Sequence, residues 1–356
     1  MTDNLSVARD FAESVRFSGD TLRADSSIQI DYSELHSQLL SESILVSSLV
    51  TPTISKCLEN VTDNLKIPTS SVTAYVYASP GINASCFAGN DEDCIIRLTS
   101  GLIDILEDKE LESVIGHEIG HFLYQHSVTE DSEGDNQSLE LFTQERAKEF
   151  SADRIGLLAS GDRDASIYAM MKVISGLSSN HLKFNVGAFI SQLNNTEKFI
   201  SYLNLQSSHP SMLVRCRALL WFAMSDTFIT GKQNFEADEM DQINKQVQDD
   251  IDKYVDPATQ EIISELKQTV ALWLSAQKIA EDGRFDSDEQ KKFGARYGET
   301  KLKELKKFFK GQNPASIKKF LAEKLEIAKM NLQAQIPSRF ESEMTLLEEE
   351  VENYFN

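Results

Sequence analysis

At 356 residues the chain is longer than a single hydrophobic core usually sustains and implies about two domains, and its 41% apolar and 26% charged residues exclude disordered and fibrous classes. Fifty-six acidic against thirty-five basic residues leave a formal charge of −21, which opposes nonspecific attraction to nucleic acid or anionic lipid. No run approaches the roughly 18 apolar residues of a membrane span, and Asp3, Arg9, Asp10, Glu13 and Arg16 interrupt any signal-peptide core, so a cytoplasmic protein without a transmembrane segment is expected. Cys57, Cys86, Cys94 and Cys216 form no CxxC pair; they read as reduced thiols, with Cys86 and Cys94 able at most to bridge one loop.

In chain order, residues 1–31 form a polar N-terminal segment with little fold information. From Tyr32 to Leu65 apolar residues recur at intervals of three and four, as on a helix's buried face, with a turn near Pro52. VTAYVYA (72–78) and CIIRL (94–98) are strand-like and bounded by turn residues. From Asp108 the helical period dominates, predicting helices over 109–126, 139–160, 163–178, 187–204 and 211–228, with TEDSEGDNQS (129–138) a loop. Residues 32–232 therefore read as an α+β domain, mainly helical with a small β-sheet. The stretch 233–257 reads as an acidic linker or a highly charged helix, since 236–256 carries eight acids and two lysines. Residues 258–356 read as an all-α accessory domain, in which 301–330 holds nine lysines and three glutamates.

The chemistry concentrates in VIGHEIGHFLYQH, 114–126, which holds three of the six histidines. His117 and His121, four apart on a helix, face the same way and can hold one ion, while Glu118, one position round, flanks a water bound to that ion. Zinc takes about four ligands and a catalytic site keeps one place for water, so a third protein ligand must come from elsewhere. Glu149, in ERAKEFSADRIGLL, is the candidate: a carboxylate on an apolar helix costs several kcal/mol unless it is paired or bound to a cation. Asp153, one turn on, is placed to accept an imidazole N–H and fix a ligand's tautomer. Either motif alone has an ordinary reading, as a chance pattern or as carboxylates on a solvated face; together, 28 residues apart on consecutive helices, they support each other. His126 lies about 140° round an ideal helix from His121 and reads as a surface or helix-end histidine.

HEIGH followed by EFSAD resembles the HExxH and ExxAD motifs of the M48 family of zinc metallopeptidases. SPGINASCFAG (79–89) resembles the family's Asn-Ala-Phe-Ala strand region, with Asn83 and Ala84 in place. LTSGLIDIL (98–106) resembles its turn before the active-site helix, and SSHPSMLVRCRAL (207–219) its His-Pro motif with an arginine six positions on. The resemblance covers roughly residues 32–228. It implies a zincin-like fold of gluzincin type and one zinc held by His117, His121 and Glu149, with Glu118 as general base. Asp153 would orient a ligand, and His209 would sit near the developing oxyanion. Arg215 would support the site or aim at that oxyanion, and Asn83 and Ala84 would belong to an edge strand that binds an extended substrate. The chain departs from the pattern in lacking transmembrane helices and in inserting Ser-Cys between Ala84 and Phe87.

QKIAEDGRFDSDEQKKF (277–293) resembles the helix-turn-helix signature of TerB-like domains. Its acids do not meet calcium-loop spacing, because Arg284, Ser287 and Lys291 stand where ligands or glycine are needed, so Gly283 is read as a helix end and Asp286 with Glu289 as a capping pair. The lysine-rich run reads as a solvated face or, alternatively, as a surface for an acidic partner or self-association. The whole reads as a zinc-dependent endopeptidase acting on protein or peptide substrates through a zinc-bound water activated by Glu118. The alternative is a latent or inactive peptidase scaffold, an adaptor filled by its acidic linker or C-terminal domain.

Overall fold

The computed structural model describes residues 4–21, 32–88, 92–126, 138–195, 210–231, 235–280 and 285–355. They form two compact units, the first spanning 1–133 with 143–256 and the second 134–142 with 257–356. The class is α+β and mainly helical, and among the described residues no helix is long and apolar enough to cross a membrane.

The first unit is built on a four-stranded sheet in the order β1 (Ile44–Leu45), β2 (Val72–Tyr77), β4 (Cys94–Thr99), β3 (Ala84–Ala88). The β-branched and aromatic runs VTAYVY and CIIRLT take the two central places. They pair in parallel from Val72↔Cys94 to Tyr77↔Thr99, with Tyr75, Ile95, Ile96 and Leu98 buried. β3 returns antiparallel on the outer side of β4, running without a bulge from Ala84↔Leu98 to Ala88↔Cys94, so the inserted Ser85-Cys86 is absorbed in a regular ladder. Cys86 and Cys94 keep free thiols whose sulfurs lie 3.2 Å apart.

Around the sheet pack α1 (Asn4–Ser14), α2 (Tyr32–Glu42), α3 (Pro52–Leu65), the short α4 (Ser100–Ile105), α5 (Asp108–Leu123), α6 (Leu139–Ser160) and α7 (Arg163–Ser175). After α8 (Val186–Ile190) and a 3-10 turn, Ser191–Asn195, the remainder of the helix expected over 187–204 lies outside the described residues. The helix expected over 211–228 is two, α9 (Met212–Ala223) and α10 (Asp226–Thr230). The Ser225 hydroxyl starts the second by accepting from Phe228 N, the competition with helix continuation that serine offers.

Two segments contribute more to the core than their composition suggested. The N-terminal stretch is not a bare polar lead: Leu5, Ala8, Ala12, Val15 and Phe17 are buried in the first unit's core, and Phe17 N donates to Ser151 Oγ at 3.1 Å. The acidic stretch takes the second of its two readings, a highly charged helix, and has an apolar side as well. Residues 237–255 form α11 (Ala237–Asp250) and a π turn (Ile251–Val255), and Met240, Ile243, Val247, Ile251 and Val255 recur at helical spacing on one buried side while Asp238, Asp241, Asp249 and Asp252 are exposed on the other and Asp250 is buried against Arg217. Charge density marked the solvated face and hid the apolar one.

The second unit consists of α12 (Pro257–Ile279), α13 (Ser287–Phe309), α14 (Pro314–Gln335) and α15 (Phe340–Phe355), with Val270, Leu332, Ile336, Leu321 and Phe293 fully buried. Glu140 joins it by accepting from Ser338 Oγ at 2.6 Å and Arg339 Nε at 3.1 Å. Asp286 caps α13, accepting from Asp288 N and Glu289 N at 2.8 and 2.9 Å, while Glu289 accepts from Asp286 N at 3.0 Å; Gly283 lies outside the described residues. Acids of α15 pair with cations of the other helices, as in Lys267–Glu343 and Arg296–Glu350.

Candidate metal centre

Helices α5 and α6 meet along a seam with no room for side chains. A Cβ on Gly116 would stand 2.2 Å from Ala159 Cβ, one on Gly120 would stand 3.0 Å from Ala152 Cα, and one on Gly156 would stand 2.6 Å from the Ser113 carbonyl. Each glycine of α5 directly precedes a histidine, so this close approach carries His117 and His121 against α6 where Glu149 and Asp153 emerge. The start of α5 is fixed by a Glu107–Glu110 capping box, and Glu110 is also bound by the buried Lys172 ammonium of α7 at 2.7 Å.

The two imidazoles face each other, Nε2 to Nε2, at 3.1 Å, and Glu149 lies 3.5 Å from His117 Nε2 and 3.8 Å from His121 Nε2. Three donors, two nitrogens and one carboxylate oxygen, lie within 4.8 Å of one another. Two nitrogens bound to one tetrahedral zinc at about 2.0–2.1 Å would stand about 3.4 Å apart, so the cluster has the dimensions of a closed-up metal site. Its charge argues the same way. Glu149 and Asp153 are both buried and share the single guanidinium of Arg215, which reaches Glu149 Oε2 at 2.7 Å and Asp153 through Nε at 2.8 Å and Nη2 at 2.5 Å. Two buried carboxylates thus share one guanidinium, and a cation held between the imidazoles would add to their compensation.

Asp153 Oδ1 also lies 3.0 Å from His117 Nδ1, leaving Nε2 of that ring toward Glu149 and His121. Burial alone would lower His117, but Asp153 and Glu149 outweigh it and hold its pKa above the ordinary imidazole value. For His121 burial, reinforced by His117, prevails and pushes the pKa well below ordinary. Burial would likewise raise Asp153, yet Arg215 holds it below the usual carboxylate range.

The donors open on a cleft of about 980 Å³. One wall is formed by Asn83, Ala84, Ser85 and Cys86, another by Ala169, Met170 and Val173 of α7, and Glu118 lies in it beside the histidines. Asn83 is tied to Thr99, donating from N to the hydroxyl at 3.1 Å and accepting from Thr99 N at 3.1 Å, which fixes where β3 begins. Among the described residues β3 is the end strand of the sheet, and its residues Ala84, Ser85 and Cys86 border the cleft.

A family model described as "Peptidase family M48" matches residues 48–144 and 137–222, the stretch that contains the cleft and every donor named above. Through this region the chain belongs to peptidase family M48. The plastoglobule-localized metallopeptidase 48 of Arabidopsis thaliana is 29% identical over 171 residues, 41% of this chain and 50% of that protein. A protease HtpX homolog of Nostoc punctiforme is 32% identical over 85 residues, 24% and 29% of the two chains. Metalloprotease YcaL of Escherichia coli is 36% identical over 77 residues, 22% and 27%. The chain thus spans half or less of the length of these relatives, and no solved structure matches it.

Of the residues singled out from sequence, the structure brings together His117, Glu118, His121, Glu149, Asp153 and Arg215, with Asn83 and Ala84 on the facing wall of the M48 cleft. His209 lies outside the described residues, next to Pro210, which lines the cleft. Arg215 is committed to Glu149 and Asp153, so it holds the carboxylates rather than aiming at an oxyanion. Of the two readings of His126 the surface one is corrected, since it is buried, and the helix-end one holds. α5 stops at Leu123, and Gln125 takes a left-handed conformation, φ 55°. Gln125 N then donates to Phe122 O and His126 N to His121 O, the paired bonds of a Schellman motif, so the chain turns back and the angular spacing of an ideal helix no longer applies. His126 Nδ1 ends 2.9 Å from His121 Nδ1 and its Nε2 3.1 Å from Asp20 Oδ2. Sequence reasoning missed Asp20 and Arg16 altogether. The glycines alternating with the motif histidines were the signal for the α5–α6 seam.

Proposed function

We propose that the chain is a zinc-dependent endopeptidase whose His117, His121 and Glu149 hold the ion and whose Glu118 is the general base, acting on a protein or peptide segment laid extended along β3. The observation that carries this reading is the convergence of three metal-type donors within 4.8 Å in a cleft that also holds Glu118. Zinc, when bound, supplies Lewis acidity toward a carbonyl oxygen and lowers the pKa of water toward about 7. Glu118 takes the proton of the attacking water and returns it to the leaving nitrogen, a role worth about 10²–10⁴ in rate. Asp153 Oδ1, 3.0 Å from His117 Nδ1, is placed to take that nitrogen's proton and so leave Nε2 for the ion, while Arg215 holds both buried carboxylates in place. The outer side of β3 offers backbone donors and acceptors to an extended segment, whose alternate side chains then point into the cleft. A pure adaptor has no use for Glu118 beside two histidines, which weighs toward catalysis.

The test separates binding from chemistry. Glu118→Gln is expected to keep metal and lose cleavage by about 10²–10⁴, whereas His117→Ala and Glu149→Ala are expected to lose metal. Cleavage retained in Glu118→Gln overturns the assignment of the base.

A further inference from the structure

We propose that Asp20 and His126 form a relay that sets the tautomer of the metal ligand His121, making the N-terminal segment a working part of the metal centre; this rests on the metal-centre reading above. A neutral imidazole carries one N–H, and only the bare nitrogen can bind an ion. The Nε2 of His121 faces His117 and Glu149, so it must be bare and the proton must sit on Nδ1. That Nδ1 meets His126 Nδ1 at 2.9 Å, which can accept only if the proton of His126 is on its own Nε2. The Nε2 of His126 in turn meets Asp20 Oδ2 at 3.1 Å, and an ionised carboxylate can only accept.

Every donor therefore points one way, from His121 to His126 to Asp20. The reverse order would put the His126 lone pair against a carboxylate and a proton on the face of His121 that the ion needs. The chain ends in a fixed charge: Arg16 donates to both oxygens of Asp20, Nε and Nη2 each at 3.1 Å, and the side chains of Asp20 and His126 are 0% and 2% exposed.

The backbone is arranged to hold this geometry. The Schellman turn at the end of α5 returns His126 to His121. The Tyr124 ring stacks on His126 at 5.3 Å, its hydroxyl donates to the Ala12 carbonyl at 2.8 Å, and Arg16 lies over the same ring. Each ligand imidazole thus has a carboxylate behind it, Asp153 directly for His117 and Asp20 through one intervening ring for His121.

The test uses the full chain, with zinc affinity measured by competition against a chromogenic chelator and the cobalt(II)-loaded protein read by its visible absorption. Zinc binding by the wild type checks the metal-centre reading itself, so its failure is distinguishable from failure of the relay. Asp20→Leu and His126→Gln, whose amide misses the Nδ1 position, are expected to bind zinc about 10–100-fold more weakly with a shifted cobalt spectrum. His126→Asn, whose Oδ1 falls where Nδ1 stood and accepts the same proton, is expected to stay near wild type. Ala8→Gly, which loosens α1 at a buried position that makes none of the relay's contacts, is expected to leave affinity unchanged. Equal zinc affinity of folded His126→Asn and His126→Gln, or wild-type affinity in Asp20→Leu, overturns the relay.

Discussion

Removing the Arg215 guanidinium would take from the buried Glu149 and Asp153 the cation they share. Arg215→Met is therefore expected to cost about 3–5 kcal/mol in urea unfolding of the metal-free protein, the usual penalty for stranding a buried charge. Added zinc should recover part of that loss, because an ion that binds only the folded state shifts the equilibrium toward it. Asp20 gives a pH signature with a definite sign. Burial would raise its carboxyl, but hydrogen bonds from His126 and Arg16 outweigh it and hold it well below the ordinary carboxylate range. Its stabilisation is thus complete above the unfolded value of about 4 and is lost as pH falls through the lower folded value. The melting-temperature gap between wild type and Asp20→Asn should narrow below about pH 4; a gap that stays constant down to acid unfolding would contradict the ionised Asp20. At this scale the sequence displayed His117, Glu118 and His121 because a helix's period converts spacing into direction. It concealed His126 because direction was extrapolated past a helix end, and Asp20 because a lone acid in a polar stretch carries no partner signal.

The α5–α6 seam places the ligands, so its width is a structural variable of the site. In Gly116→Ala the new methyl meets Ala159 Cβ, and in Gly156→Ala it meets the Ser113 carbonyl, a backbone atom that cannot swing away. Either is expected to cost about 1–3 kcal/mol by overpacking and to weaken metal binding by spreading His117 and His121 from Glu149. Unchanged zinc affinity in Gly156→Ala would show that the seam does not set the donor geometry. The helices and the two central strands were legible because their periods, 3.6 and 2, are strong. The break between α9 and α10 was not, since the apolar pattern continues across a serine whose hydroxyl captures Phe228 N. β3 was reached only through resemblance, because ASCFA is short and lacks alternation.

For the whole molecule, the stretch read as a linker up to residue 257 falls with the first unit as far as Asp256, and the second unit resumes at Pro257. The buried face of α11 and its π turn, Met240 to Val255, belongs to the first unit, and Arg154 Nη2 donates to Asn244 Oδ1 at 2.9 Å while Arg146 pairs with Asp256. A truncation after residue 232 is expected to melt well below one after residue 256, since it strips several core residues and removes Asn244 and Asp256 from two buried arginines. Comparable melting would contradict this assignment. The central claim, a zinc-dependent hydrolase, meets its most direct test in metal analysis of the purified full chain paired with casein cleavage before chelation, after chelation and after zinc is restored. The account predicts about one zinc per chain, as the three-ligand catalytic pattern requires, with cleavage abolished by the chelator and returned by zinc. Stoichiometric zinc with no cleavage, or cleavage indifferent to the chelator, would contradict it.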